Sequence, residues 1–207
     1  MSCYEKLMII GASGHGRVVA DIAARTGSYR SIAFLDDAPP LRELPFPYLG
    51  TCDKACDFIN EYAFVVAIGN IAVRQKITRS LLAQGACLAR VISPDAVIAA
   101  DVTIGEGTVI CPGVVINTGT TIGNGVIINT SSSVDHDCHV GDFCHVAVGA
   151  HLCGTVNVGD GCWISAGATV INNISICPAC MIGAGAVVVK NITAGGTYLG
   201  VPARRKA

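Results

Sequence analysis

The sequence ISPDAVIAADVTIGEGTVI, residues 92–110, begins a stretch that ends at Val188 and decides the fold. Every sixth residue of this stretch is aliphatic, and the residue two places before it is small or β-branched in nearly every repeat. A six-residue period fits neither an α-helix nor an alternating strand, and it is typical of a parallel β-helix. The seventeen aliphatic positions are Ile92, Ile98, Ile104, Ile110, Ile116, Ile122, Ile128, Val134, Val140, Val146, Leu152, Val158, Ile164, Val170, Ile176, Ile182 and Val188.

The period also predicts the geometry of the coils. Each repeat supplies a short strand with two inward side chains, followed by a turn in which glycine can adopt a positive φ. Three repeats close one coil of about eighteen residues, and successive coils stack about 4.8 Å apart. Residues eighteen apart should therefore lie directly above one another. A β-sandwich would need loops that break this register, so the β-helix is the preferred interpretation.

The composition argues against nucleic-acid binding and against membrane insertion. The 207 residues carry a net charge of −1, and only 14% of them are charged, so no surface suited to polyanions is indicated. Hydrophobic residues make up 51% of the chain, yet no apolar run approaches the roughly 18 residues that span a bilayer. The first residues show no signal peptide. These features predict a cytoplasmic protein.

Eleven cysteines raise the question of zinc or disulfides. Seven of them hold fixed places in the repeat, and three (Cys144, Cys162 and Cys180) are eighteen apart and should form an inward ladder. Buried cysteine packs as a small hydrophobic residue, and a cytosolic chain keeps its thiols reduced. Cys52 and Cys56 have no second pair to complete a zinc site. We expect structural cysteines and no metal.

Residues 1–90 follow a different pattern, in which strands alternate with helices. This alternation predicts a Rossmann-like α/β domain with a parallel sheet, followed by a β-helix over residues 91–191 and a C-terminal tail over residues 192–207. The predicted strands are Lys6–Ile10, Ile32–Leu35, Phe64–Ile68 and Cys87–Ile92, and the predicted helices are Arg17–Thr26, Asp53–Asn60 and Ile71–Gln84.

A glycine loop, GASGHG over residues 11–16, joins the first strand to the first helix. Such a loop places backbone N–H groups and a helix N-terminus beside an anion, typically a phosphate. Its G-x-x-G-x-G spacing differs from the dinucleotide pattern, and the domain is too short for two nucleotide-binding halves. We therefore favour a single nucleotide or nucleotide sugar, with a ligand-free tight turn as the alternative. Asp36 and Asp37 end the second strand, where carboxylates can bond a ribose or base.

The segment around His136 is the best candidate for catalysis. His136 lies two residues after the aliphatic Val134, so it should sit at a turn and point outward, with Asp137 beside it. A neutral histidine is a suitable general base, and a neighbouring carboxylate fixes its tautomer and raises its basicity. Gly154 follows eighteen residues later and should lie one coil above, where its N–H could hold a developing oxyanion.

Three other histidines each precede an aliphatic position by one residue, so they should point outward: His139, His145 and His151. Their spacing of six residues puts them on three different sides of the prism. They cannot form one metal site within a chain, although a site shared between subunits remains open. We expect His139 and His151 to be surface residues.

With these residues, the chain resembles the nucleotide-sugar acetyltransferases of the left-handed β-helix superfamily. It is most similar to the sialic acid O-acetyltransferase-like group, which includes UDP-4-amino-sugar (bacillosamine pathway) N-acetyltransferases. The resemblance covers nearly the whole chain and implies an α/β Rossmann-like domain followed by a left-handed parallel β-helix of hexapeptide repeats. The motifs that carry it are GASGHG (11–16), FLDD (34–37), AIGN (67–70), residues 129–150 and GVPAR (200–204).

The resemblance implies a role for each matching residue. His136 would be the catalytic base, with Asp137 as its acidic partner where bacillosamine-type enzymes carry glutamate, and Gly154 would donate near the acetyl group. A polar sugar contact of those enzymes falls on Ala72 here. The other implied contacts are His145, Ala166 and Ala184 with acetyl-CoA, Ser13, Gly14 and His15 with the phosphates of the nucleotide sugar, Asp36 and Asp37 with the uridine, and Gly69 with the same ligand.

The expected function is therefore acetyl transfer from acetyl-CoA to the 4-amino group of a UDP-linked amino-dideoxy sugar. Relatives of this kind are homotrimers with active sites between adjacent β-helices, so a homotrimer is expected here. O-acetylation of sialic acid or another sugar hydroxyl is the main alternative. An enzyme resembling carbonic anhydrase, with a metal at the subunit interface, and a non-catalytic sugar-binding scaffold are further alternatives.

Overall fold

The computed structural model describes residues 4–38, 40 and 42–206. Its first elements are β1 (Lys6–Ile10), α1 (Gly14–Thr26), β2 (Ser31–Leu35), a 3₁₀ helix (Cys52–Phe58), β3 (Ala63–Val66), α2 (Ile71–Ala83) and β4 (Cys87–Leu88). The four strands form a parallel sheet in the order β2-β1-β3-β4, which confirms the predicted α/β architecture. We call this region, residues 4–88, the α/β part.

Most element boundaries lie within two residues of the predictions, and two larger differences have a clear structural cause. Helix α1 begins at Gly14 rather than Arg17, because the glycine loop itself forms the first turn of the helix. The predicted strand Cys87–Ile92 is two strands in different sheets. Its hydrogen bonds change partner along the way: the Ala89 N–H donates to Phe64 of the α/β sheet, whereas the Val91 N–H donates to Thr108 of the next coil.

The remaining chain forms the predicted parallel β-helix. Each predicted aliphatic position is the last residue of a short strand. The strands are β5 (Val91–Ile92), β6 (Val97–Ile98), β7 (Thr103–Ile104), β8 (Val109–Ile110), β9 (Val115–Ile116), β10 (Thr121–Ile122), β11 (Ile127–Ile128), β12 (Ser133–Val134), β13 (His139–Val140), β14 (His145–Val146), β15 (His151–Leu152), β16 (Asn157–Val158), β17 (Trp163–Ile164), β18 (Thr169–Val170), β19 (Ser175–Ile176), β20 (Cys180–Ile182) and β21 (Val187–Val188).

Every third strand of the β-helix belongs to the same sheet, so the coil has three sides. One side has six strands (β6 to β21), and another has five (β7 to β19). The third has eight strands, because β22 (Gly196–Leu199) and β23 (Arg204–Arg205) extend the series from β5 to β20. From β5 to β21 the strand partners are eighteen residues apart, as His139 is from Thr121, which confirms the predicted stacking.

The α/β part packs on the outward face of the eight-stranded sheet. The outward residues Val91, Val109 and Ile127 of this sheet are each only 1% exposed, whereas Thr121 and His139 on the five-stranded sheet are exposed. One apolar core runs from β1 and α1 into the interior of the coils. No helix within residues 4–38, 40 and 42–206 is long and apolar enough to cross a membrane.

The small inward position of the repeat makes a recurring pair of hydrogen bonds. The Thr108 hydroxyl donates to the carbonyl fifteen residues later and accepts the N–H eighteen residues later. The thiols of Cys138 and Cys162 make the same two contacts, at 3.1–3.2 Å and 3.4 Å. Threonine and cysteine suit this position because each combines small size with one donor and one acceptor. A buried carbonyl and a buried N–H are thereby satisfied in each such coil.

The cysteines of the inward ladder are buried and unbridged, as predicted: Cys144, Cys162 and Cys180 are at most 2% exposed. The two preceding residues of the same ladder are Thr108 and Val126, so the thiols occupy a position that also accepts other small side chains.

The recurring hydrogen bonds predict different effects for two substitutions of equal shape at Cys162. Cys162→Thr should keep both contacts, whereas Cys162→Val should leave the Cys177 carbonyl and the Cys180 N–H buried without partners. We expect the valine variant to be less stable than the threonine variant by about 1–3 kcal/mol, the usual cost of unpaired buried polar groups. Urea unfolding of both variants measures the difference. Equal stability of the two would show that the thiol acts only as an apolar filler.

Candidate active site

His136 and Asp137 lie at the corner between β12 and β13. The His136 Nδ1–H donates to the Asp137 carboxylate at 2.8 Å, and the His136 backbone N–H donates to the Asp135 carboxylate at 2.8 Å. The hydrogen bond to Asp137 raises the pKa of His136. Desolvation opposes this increase, and the charges of Asp135 and Asp137 add to it. With Nδ1 protonated, the lone pair is on Nε2. The His136 side chain is 52% exposed, so this nitrogen can be reached from outside the chain.

Gly154 lies directly against the imidazole of His136, one coil further along. A Cβ atom at Gly154 would lie 2.7 Å from Cε1 of His136 and would overlap Nε2, so only glycine leaves room for the ring. The Thr155 N–H donates to the His136 carbonyl at 2.9 Å and fixes the two coils in register. The predicted neighbours His136, Asp137 and Gly154 therefore form one compact group.

A second group surrounds the glycine loop. Ser13 is the N-cap of α1, its side chain makes no cap hydrogen bond, and the first turn of the helix has no acidic residue. This helix start opens into a pocket of about 340 Å³ that is lined by Ser13, Gly14, Arg17, Asp36 and Arg42, among others. Unpaired N–H groups of a helix N-terminus together with two arginines suit an anionic ligand such as a diphosphate.

The two aspartates after β2 have different environments. Asp36 lines the pocket, and its carboxylate accepts the N–H groups of Ala12 at 2.7 Å and Ala38 at 3.0 Å. Asp37 accepts the Cys52 N–H at 2.9 Å, at the start of the 3₁₀ helix, and it does not line the pocket. Gly69 is also absent from the pocket lining, and its carbonyl accepts a bond from Arg74. Asp36 thus lines the pocket beside the glycine loop, whereas Asp37 and Gly69 do not line it.

His145 points outward from the coil, as predicted, but it is only 7% exposed because it lies under the α/β part. Its ring stacks on Trp163 with centroids 5.1 Å apart, and its Nε2 accepts the Asn129 side-chain amide at 3.2 Å. Burial first, then the charge of Arg74, lowers the pKa of His145 to about 3. The neutral ring therefore carries its proton on Nδ1, and this buried donor has no partner among the described residues.

His15 of the glycine loop is partly buried, and its charge contributes to lowering the pKa of His145. Burial, followed by the charge of Arg74, lowers the pKa of His15 to about 4, and its Nε2 is also buried without a partner among the described residues.

The positions Ala166 and Ala184 are exposed on the corner that follows the eight-stranded sheet, and the Gly185 N–H donates to the Ala166 carbonyl across the two coils. His136 lies on another corner, after the six-stranded sheet. Within one chain, the candidate base is thus on a different corner from the other predicted contacts.

Comparison with known proteins identifies the family. Residues 6–81 match the family model described as the PglD N-terminal domain. GDP-perosamine N-acetyltransferase from Escherichia coli O157:H7 is 34% identical over 155 residues, which cover 72% of this chain and 70% of the relative. The chain belongs to the hexapeptide-repeat nucleotide-sugar N-acetyltransferases. UDP-N-acetylbacillosamine N-acetyltransferase from Bacillus subtilis (strain 168) is 32% identical over 108 residues, 50% of each chain.

Solved structures of N-acetyltransferase relatives agree with this assignment. The acetyltransferase domain of PglB from Neisseria gonorrhoeae FA1090 has a TM-score of 0.93 and 38% identity, covers 98% of this chain and 100% of its own, and has also been solved with acetyl coenzyme A. PerB from Caulobacter crescentus, in complex with CoA and GDP-perosamine, has a TM-score of 0.91 and 34% identity over 98% of this chain and 97% of its own. The predicted family, fold and acetyltransferase class are confirmed.

Several residues of this N-acetyltransferase's candidate site were not predicted from the sequence. Arg17 and Arg42 line the pocket, and Asn129 and Trp163 contact His145. The charge of Arg74 lowers the pKa of both His15 and His145. Arg17 could have been predicted from the sequence, because it directly follows the glycine loop and therefore lies in the first turn of the helix. Within residues 4–38, 40 and 42–206, no group of three or more His, Cys, Asp or Glu side chains is placed to hold a metal ion.

The different surroundings of the histidines predict different titrations. His136 should titrate above the usual value of about 6.5, while His15 and His145 should stay neutral between pH 5 and pH 8. Asp137→Asn removes the carboxylate that stabilises the imidazolium, so the midpoint of His136 should move down. Asp21→Asn, an exposed change of the same charge on α1, should leave it unchanged. NMR titration of the ring Cε1–H signals measures each midpoint, and an unshifted midpoint in the Asp137 variant would contradict the assigned hydrogen bond.

Proposed function

We propose that the chain transfers the acetyl group of acetyl-CoA to the 4-amino group of a UDP-linked amino-dideoxy sugar, with His136 as general base. The observation that carries this proposal is the His136 group: Nδ1–H is bonded to Asp137, and Nε2 lies free against Gly154. The similarity to a UDP-N-acetylbacillosamine N-acetyltransferase and to two GDP-perosamine enzymes supports an amino group on a nucleotide sugar as acceptor.

Direct transfer needs only a base, an oxyanion donor and two binding sites. Acetyl-CoA supplies an activated thioester, whose carbonyl carbon the sugar amine attacks and from which the CoA thiolate departs. His136 Nε2 takes the proton that the amine loses, and Asp137 stabilises the resulting imidazolium. The Gly154 N–H faces the developing oxyanion. No side-chain nucleophile is required, and orientation of the two substrates supplies much of the acceleration.

The binding residues divide between the two substrates. Ser13, Gly14 and Asp36, which line the pocket, hold the nucleotide sugar, and the helix N-terminus with Arg17 takes its diphosphate. We assign His15, which does not line the pocket, to the same ligand. We also assign Asp37 and Gly69 to the periphery of this ligand, outside the pocket itself. Acetyl-CoA lies along the edge of the eight-stranded sheet, where His145, Ala166 and Ala184 follow one another on successive coils.

We also propose that the enzyme is a cytoplasmic homotrimer, and the arrangement of the site residues supports active sites between subunits. The base of one chain lies on a different corner of the prism from its own acetyl-CoA and nucleotide positions. A second copy can bring its His136 to the edge where His145, Ala166 and Ala184 lie. Closed cyclic symmetry then gives every subunit one complete site.

A thiol-release assay with acetyl-CoA tests the proposed activity against UDP-, GDP- and dTDP-linked 4-amino sugars and sialic acids. We expect turnover with a UDP-linked 4-amino sugar. His136→Ala should lower kcat by about 10²–10⁴-fold, the usual effect of losing a general base. His139→Ala, which removes an exposed histidine from the next strand, should leave kcat unchanged. Near-normal turnover by His136→Ala would refute the assigned base, and activity only on hydroxyl acceptors would refute the amino acceptor.

Gly14 offers a test of the phosphate site. An added Cβ at Gly14 meets no atom within 4 Å. A carboxylate at the start of a helix also interacts favourably with the helix dipole, so Gly14→Asp should fold normally. Its negative charge should repel the diphosphate and raise KM for the nucleotide sugar about tenfold or more, while KM for acetyl-CoA stays unchanged. Gly14→Ala adds bulk without charge and should have a smaller effect. An equal rise in both KM values would contradict the separate binding sites.

The same variant tests the shared active site. Mixed oligomers of His136→Ala chains and Gly14→Asp chains contain interfaces that combine an intact base with an intact phosphate site. If each site uses two subunits, random 1:1 mixtures should recover activity at about a quarter of their sites. Activity no higher than that of the separate variants would place the whole site within one chain.

A further inference from the structure

Arg74 is a buried cation that has no carboxylate partner among the residues that the structure describes. It lies in α2, is 1% exposed, and uses all five of its N–H groups on backbone carbonyls. Burial lowers its pKa to about 10, so it is charged at every physiological pH. A buried charge of this kind is costly unless it is fully hydrogen-bonded, and here it is.

The five acceptors of Arg74 come from both parts of the chain. Nη1 donates to the carbonyls of Ile68 at 2.8 Å and Gly69 at 3.0 Å, in the segment after β3. Nε donates to Gly125 at 2.8 Å, and Nη2 donates to Phe143 at 2.8 Å and Cys144 at 3.3 Å, on two adjacent coils of the β-helix. One planar guanidinium thus fixes the position of the α/β part relative to the coils. A lysine cannot make the same set of hydrogen bonds, because all three of its N–H donors are on one nitrogen atom.

Arg74 connects the neighbourhoods of His15 and His145. It donates to the carbonyl of Cys144, next to His145, and to the carbonyl of Ile68, whose side chain lies beside Gly11 of the glycine loop. The charge of Arg74 also lowers the pKa of both His15 and His145. His15 Nε2 and His145 Nδ1, with Trp163 Nε1, are the buried side-chain polar atoms left without partners among the described residues. Each of the two imidazoles therefore has one buried ring nitrogen that is available to bind a ligand.

We propose that Arg74 is a positioning residue for catalysis, which aligns the His15 loop with His145 so that both substrates are presented to the reaction in one geometry. The inference rests on the proposed function, because it assigns the nucleotide sugar to the loop and acetyl-CoA to the coils. Each substrate contacts mainly one side of the junction. Loss of alignment should therefore leave each binary affinity nearly intact and reduce the rate of transfer between them.

The junction offers a matched control. Arg25 of α1 forms an ion pair with Asp95 of the first coil at 2.5 Å, so it also links the α/β part to the β-helix. Both side chains are more than 40% exposed, and exposed pairs of this kind contribute little. Arg25→Ala removes a contact between the same two parts without approaching either histidine.

The experiment compares purified oligomers of the wild type, Arg74→Lys, Arg74→Gln and Arg25→Ala. Calorimetry measures the binary affinity for UDP and for CoA, the thiol-release assay measures kcat with both substrates saturating, and thermal unfolding reports folding. We expect Arg74→Lys to bind UDP and CoA within about threefold of the wild type and to lose about 10–100-fold in kcat, the scale of a misplaced reacting group. Arg74→Gln should lose at least as much, and Arg25→Ala should keep its kcat.

The outcomes separate this inference from the proposed function. A wild type that transfers no acetyl group would overturn the proposed function, and this inference with it. An active wild type with near-normal kcat in Arg74→Lys would overturn this inference alone. A loss confined to the affinity for one substrate would also overturn it, as would an equal loss in Arg25→Ala. If neither Arg74 variant yields a folded oligomer, Arg74 is a folding determinant and has no positioning role.

Discussion

Stacking of the coils at an interval of eighteen residues is the constraint on which the rest of the structure depends. The backbone ladder holds each strand to the one eighteen residues away, and the inward hydroxyls and thiols add a second set of bonds at the same interval. A residue therefore acquires its neighbours by position in the repeat. The proximity of Gly154 to His136 follows from this register, because the two are related as any other pair of stacked corner residues.

This dependence explains how much the sequence alone could predict. Every aliphatic position from Ile92 to Val188 ends a strand, because the repeat is a local pattern that recurs without interruption. The group of His136, Asp137 and Gly154 could be assembled in advance for the same reason. The glycine loop was also predictable, since glycine at Gly11 and Gly16 is required by a positive φ and by a close backbone approach. In each case, the information lies within one or two turns of the chain.

The junction between the α/β part and the β-helix was not predictable, because it depends on how two separately folded surfaces meet. Helix α2 carries Arg74, Lys76 and Arg79 within six residues, and no local pattern shows that only Arg74 faces the carbonyls of two coils. His145 has the same place in its repeat as the exposed His139 and His151. It is buried only because its sheet is the one that the α/β part covers. Asp37 does not line the pocket, and its carboxylate instead accepts the Cys52 N–H at the start of the 3₁₀ helix. The sequence does not show this contact, because the two residues are fifteen apart.

The three sides of the coil share one backbone geometry, yet they differ in what covers them, and this difference separates the two kinds of chemistry. A base that must gain and lose a proton needs water nearby and a carboxylate partner, and His136 has both on an exposed corner. A histidine that only donates a hydrogen bond works best when it cannot take up a proton, and His145 is kept neutral by burial and by Arg74. Because one surface of the coil cannot be both exposed and covered, the proposed function places the two histidines of each site on different subunits. The proposed oligomer then brings together two environments that a single surface of the β-helix does not combine.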